Sequence, residues 1–127
     1  VKPALLFVVA AGGAVGALGR YLVTSTVPRY LGHGFPWGTL VVNIVGSMLM
    51  GLLIEFMARR WSAPNEARLF LVTGMLGAFT TFSTFSLDVV TLWERGQSMG
   101  TLVYAVGSVG LGILALVAGL WLGRTLF

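Results

Sequence analysis

Four long apolar stretches, at about residues 4–27, 37–57, 69–93 and 102–122, are separated by short polar or turn-rich segments. Each is close to the roughly 20 residues that a helix needs to cross a hydrocarbon core about 30 Å thick. The pattern predicts an all-α integral membrane protein, a single four-helix domain over residues 1–127. The first stretch is interrupted only by Arg20, and the next connection, PRYLGHGFP, holds two prolines, two glycines and the lone His33. Prolines and glycines at such density mark a turn-rich segment. Trp37, Trp61, Trp93 and Trp121 fall near the ends of the spans, where interfacial aromatics belong. In the polar loop from Trp61 to Arg68, Ser62 or Asn65 offers a cap for the third helix.

Composition agrees with the pattern. Hydrophobic residues make up 57% and charged residues 9% of the 127 positions, against about 45–50% and about 25% in soluble domains. Four crossings use about 80 residues, which leaves no room for an extramembrane domain and removes most enzymes and nucleotide-binding modules. The opening faintly resembles a signal peptide, but its glycine-rich body continues past a short apolar core into three more spans, so the segment is expected to be retained. The chain has no cysteine and a single histidine, so thiolate chemistry and a conventional zinc site are excluded. Eight basic residues face four acidic ones. In a membrane protein this excess sets topology and meets anionic lipid rather than nucleic acid. Lys2, Arg59, Arg60, Arg68 and Arg124 fall on the side of the termini, and Arg29 and Arg95 on the other, joined by Arg20 if it reaches that far. That is a modest bias toward cytoplasmic termini.

The polar groups inside the spans carry the functional signal. Between Phe79 and Ser86 there are five hydroxyls and three phenylalanines, near the middle of the third crossing. Hydroxyls in membrane helices commonly bond back to their own helix. Here two flexible glycines, Gly74 and Gly77, precede a hydroxyl cluster, and the combination predicts a helix broken near its middle. Broken backbone at membrane depth survives only where protein or water satisfies it. On an intact helix Phe79, Phe82 and Phe85 would share one sector of about 120°, opposite Thr80, Thr81, Ser83 and Thr84. Asn43 places an amide inside span two, where it bonds a neighbouring helix or faces a wet path. Tyr104 and Ser108 share a face of span four by their spacing. Arg20 lies about 25 Å along its helix; it either snorkels or makes a structural contact, or else lines an anion-attracting vestibule. Glu55 precedes Arg59 by the favourable four-residue spacing and is expected at the surface. Asp88 lies deeper, with no evident role, and His33 faces solvent. Glycine-bearing pairs at four-residue spacing, Gly12 and Gly16, Ser108 and Gly112, Gly119 and Gly123, favour a tight bundle or a dimer. Hydroxyls, an amide and the positive edges of phenyl rings suit a small anion, although hydroxyl lone pairs could also serve a cation.

Three segments together resemble a known family: GGAVGALGRY from Gly12 to Tyr21, WGTLVVN from Trp37 to Asn43, and GMLGAFTTFSTFS from Gly74 to Ser86. They are similar to the successive signatures of the Fluc (CrcB) bacterial fluoride channels, and the resemblance extends over all four spans. It implies a passive, fluoride-selective channel in the bacterial inner membrane, assembled as an antiparallel dual-topology homodimer with two pores. It further implies that Asn43 lies along the pathway and that Phe82 and Phe85 turn ring edges toward fluoride. Ser83, Thr84, Tyr104 and Ser108 would add a polar track. A structural sodium ion at the dimer centre would be held by the backbone carbonyls of Gly77 and Thr80. Two rivals compete: a small four-span multidrug exporter, whose first span carries a deep carboxylate that this one lacks, and a non-transporting membrane subunit, which leaves the Phe79 to Ser86 cluster unexplained.

Overall fold

The computed structural model describes all 127 residues. Helix α1 spans Pro3–Leu31 and α2 spans Trp37–Arg59. The third crossing is composite: α3 (Asn65–Arg68), a π-helical segment (Leu69–Leu76), α4 (Gly77–Phe79) and, after a gap, α5 (Phe82–Glu94). Helix α6 spans Ser98–Leu126. All four crossings are long and apolar enough to span a membrane.

The helices outrun the apolar spans that sequence marks. Helix α1 carries Pro28 inside its last turn and stops only at Leu31, where Gly32 takes φ 88° and donates its N–H to the Pro28 carbonyl at 2.8 Å. A proline so near the end forfeits a single helical hydrogen bond, so the turn-rich connection is shorter than its composition suggests. Helix α6 begins at Ser98 because the reversal is made by Gly96 at φ 76°. Neither Ser62 nor Asn65 caps the third crossing; the N-cap position is Pro64, with no side-chain bond.

The break in the third crossing falls at Thr80 and Thr81, both extended, with φ/ψ of −82°/158° and −150°/125°. The expected cause is corrected by the structure, because Gly77 keeps helical dihedrals of −62° and −36°. Gly74 serves packing: a Cβ there would sit 2.8 Å from the Val9 carbonyl oxygen. The break also ends the sector argument, since Phe79 closes one helix while Phe82 and Phe85 belong to the next.

Small residues set the layers. Gly12 lies against the Phe70 carbonyl and Gly16 against that of Met75, so α1 runs parallel to the π segment at backbone distance. Gly119 meets the Met48 carbonyl, and Gly123 approaches the Glu55 side chain with a would-be Cβ contact of 2.6 Å, which sets α6 parallel to α2. These ridges are therefore consumed inside one protomer. Large apolar side chains nevertheless stay open on α5, where Phe82, Leu87 and Trp93 are 77%, 65% and 64% exposed, and likewise on α1 and α6. Only 17 of 127 residues are buried, so most of the apolar surface awaits lipid or a second chain.

Charges tie one end and aromatic rings the other. Glu55 is buried, not at the surface as its spacing suggested, and accepts from Arg59 Nε at 3.0 Å and Arg124 Nε at 2.9 Å. It links α2 to the end of α6. Arg60 Nε donates to the Phe127 carbonyl at 2.8 Å. At the opposite end, Phe35 packs edge-on against Tyr104 at 5.4 Å and lies 4.6 Å from the Trp37 ring.

Candidate ion pathway

The break creates a problem that Asn43 solves. Thr81 has left the helix, so its N–H no longer bonds the Gly77 carbonyl and donates instead to Asn43 Oδ1 at 2.8 Å. Asn43 Nδ2 in turn donates to the Thr81 carbonyl at 3.1 Å. The amide thus behaves as a substitute peptide unit, bridging α2 to the extended backbone. Thr81 also caps α5, its Oγ1 accepting from the Thr84 N–H at 3.2 Å. The Thr80 hydroxyl bonds back to the Leu76 carbonyl at 3.0 Å, and the Ser86 hydroxyl to that of Phe82 at 3.0 Å. These two hydroxyls follow the ordinary habit of membrane helices. The break leaves main-chain acceptors open: the Thr80 carbonyl accepts no backbone bond, and that of Gly77 has lost its helical donor.

Beside the clamp lies a groove of about 290 Å³. Asn43 and Ser47 form one wall, Thr80 and Thr81 the floor at the break, and Phe82 and Phe85 the flank. Ser108 and Gly112 of α6 close the opposite side. The two phenyl rings stand 5.7 Å apart at 44°. Ser108 Oγ is buried with no hydrogen-bond partner, which is costly for a hydroxyl unless a ligand or water meets it. No charged side chain lines this groove.

The remaining candidates fall around it. Tyr104 is buried behind the groove, its ring 5.3 Å from Phe85, and its hydroxyl donates to Asp88 Oδ2 at 3.0 Å. Asp88 thereby acquires a partner that its position in the sequence did not disclose. Thr84 faces a second groove of about 250 Å³ on the other side of the break, shared with Arg20, Tyr21, Thr24, Thr39 and Thr81. Arg20 is half-buried there and forms no ion pair, since both salt bridges belong to Glu55. Ser83 is exposed and lies in neither groove. Gly77 is exposed and Thr80 half-buried beside it. Sequence reasoning passed over Ser47, Thr39 and Thr81's clamp. Thr39 precedes Asn43 by one helical turn and Ser47 follows it by one, so spacing could have found both. The long-range bond from Asn43 to Thr81 leaves no such trace.

The fold and groove define a small polytopic membrane protein with a partly polar groove beside a broken helix. The family model for "CrcB-like protein, Camphor Resistance (CrcB)" matches residues 7–120. Similar proteins named "Fluoride-specific ion channel FluC" include one from Chelativorans sp. (strain BNC1), 55% identical over 95% of this chain and 97% of that protein. The Agrobacterium fabrum relative of the same name is 58% identical over 94% and 95%, and that of Nitrobacter winogradskyi 48% over 99% and 100%. The chain belongs to the CrcB family.

Proposed function

We propose that this chain is the subunit of a passive, fluoride-specific channel, a membrane transport protein and not an enzyme. The relatives bear that name over nearly their full length. The observation in the molecule that supports the reading most is the unpartnered Ser108 hydroxyl, in a residue that lines the same groove as Asn43, Phe82 and Phe85. Fluoride is small and strongly hydrated, so it leaves water only for hydrogen-bond donors placed to replace its shell. Asn43 spends one N–H on Thr81 and keeps the other. The Ser108 hydroxyl is a free donor, and phenyl rims carry the positive part of the ring quadrupole. Of the other polar candidates, Thr84 lines the second groove, and Tyr104 lies behind Phe85 with its proton held toward Asp88. Ser83 is exposed and in neither groove, so a second copy would have to bring it to the path.

The working unit is an antiparallel, dual-topology homodimer with two pores. The side of α5 turned away from α6 supports this assembly, since Leu87, Val90 and Trp93 stay open within the chain. A structural sodium ion suits the break. Carbonyl oxygens are hard ligands of the type that hold alkali cations, and Gly77 and Thr80 each present one relieved of helical bonding. A symmetric copy would double that set. When bound, sodium would supply positive charge and fix the break; the threonine backbone and Asn43 do the rest. Removing sodium from the buffer should then weaken dimer association, measured by dimer fraction in detergent against sodium concentration.

The variant Phe82→Ile should lower fluoride flux at least about tenfold, the loss expected from removing one well-placed charge-stabilising contact. Dimer elution should be unchanged. Normal flux through Phe82→Ile in liposomes would place the path elsewhere.

A further inference from the structure

A separate pocket of about 130 Å³ lies at the end of the molecule opposite the termini. Gly32 turns the chain out of α1, and His33, Gly34 and Pro36 then face Asp88, Thr91 and Arg95 at the end of α5. Leu92 is the one apolar side chain of the lining. The pocket adjoins the ion groove through two residues. Asp88 accepts the Tyr104 hydroxyl, and the Tyr104 ring lies between Phe35 of the same loop and Phe85 of the groove. The channel reading assigns this pocket no role.

Its charge depends on one group. Arg95 contributes +1 and Asp88 −1, so the pocket is neutral when His33 is neutral and +1 when His33 is protonated. Tyr104, the titratable group facing it from α6, donates a hydrogen bond to Asp88 and, as a phenol, adds no charge. Arg29 and Glu94, the other charges of this end, are exposed and outside the lining. Imidazole is the side chain that ordinarily changes charge between about pH 5 and pH 8.

We propose that this pocket is an anion-recruiting mouth of the ion path, in which Arg95 and protonated His33 hold a small monovalent anion before it passes Tyr104. The inference rests on the reading of the chain as a fluoride channel. Recruitment limits conduction only when the anion is scarce, so the effect belongs to low fluoride and disappears at saturation.

The test is fluoride current through the full-length protein in planar bilayers at about pH 8 and about pH 5.5. Current is the right readout because hydrogen fluoride, which forms in acid and crosses lipid, carries no charge. At low fluoride the wild-type current should rise about threefold in acid, the factor for one added unit charge several ångströms from the ion in a watery mouth. His33→Gln should abolish the rise. Arg95→Gln should lower the current at both pH values while keeping the rise. Both side chains are exposed, so the variants retain the fold. A wild-type current that ignores pH, an undiminished rise in His33→Gln, or an equal rise at saturating fluoride would each overturn the proposal. A wild type that passes no fluoride current at either pH would overturn the channel reading instead.

Discussion

Asn43 does two jobs with one amide, and they can be separated. Its Oδ1 and one N–H satisfy both polar groups of Thr81 at the helix break, and the remaining N–H faces the groove. Asn43→Ala leaves a half-buried peptide N–H and C=O without partners, which should cost about 1–3 kcal/mol per unsatisfied group. Its thermal midpoint should therefore fall by several degrees, in addition to any loss of flux, as fluorescence-detected size exclusion after heating would record. Phe82 differs. It is largely exposed within the protomer, so Phe82→Ile should leave the midpoint of the protomer fold nearly unmoved. A variant pair in which Asn43→Ala and Phe82→Ile were equally stable would contradict the clamp. Ser108, with its unpartnered hydroxyl, and Arg20, which forms no ion pair, both border grooves beside the break.

The elements are held by backbone contact more than by side-chain bulk. Gly12 touches the Phe70 carbonyl of the π segment, so Gly12→Ala must push α1 away from a rigid main chain. Neighbouring Gly13 has open space where a Cβ would stand, and Gly13→Ala should raise helix stability by about 1 kcal/mol. Monodisperse yield should collapse for the first and hold or improve for the second. Glu55→Gln should lower the thermal midpoint as well, because Arg59 and Arg124 lose the carboxylate that joins α2 to α6. Much of this level was legible in the sequence: four apolar spans, the tryptophans at their ends and the broken third crossing follow from periodicity and composition. The agent of the break was not legible. Flexible glycines were the natural suspects, yet Gly74 packs against α1, Gly77 stays helical and the threonines unwind, because a small residue facing another helix and one facing a kink look alike in one dimension. The same limit hid the Asn43 clamp, the Tyr104 to Asp88 bond and the second arginine on Glu55, each set by partners 16 to 69 residues away.

At the scale of the whole molecule, one chain offers a path with one side open. The groove is walled by α2, the break, α5 and α6, while an apolar face of α5 stays open, as do faces of α1 and α6. A second copy in the opposite orientation would cover that face and bring two breaks together. The basic residues at the end that carries the termini work against equal insertion in both orientations, but Arg59 and Arg124 there share the Glu55 carboxylate, which softens the asymmetry once the chain is folded. The central claim is that the assembled path conducts fluoride and discriminates against chloride. The direct measurement is halide efflux from liposomes containing the purified protein, with potassium and an ionophore setting the voltage. The account predicts rapid fluoride release with chloride release far slower. Equal release of the two halides, or release of neither, would contradict it.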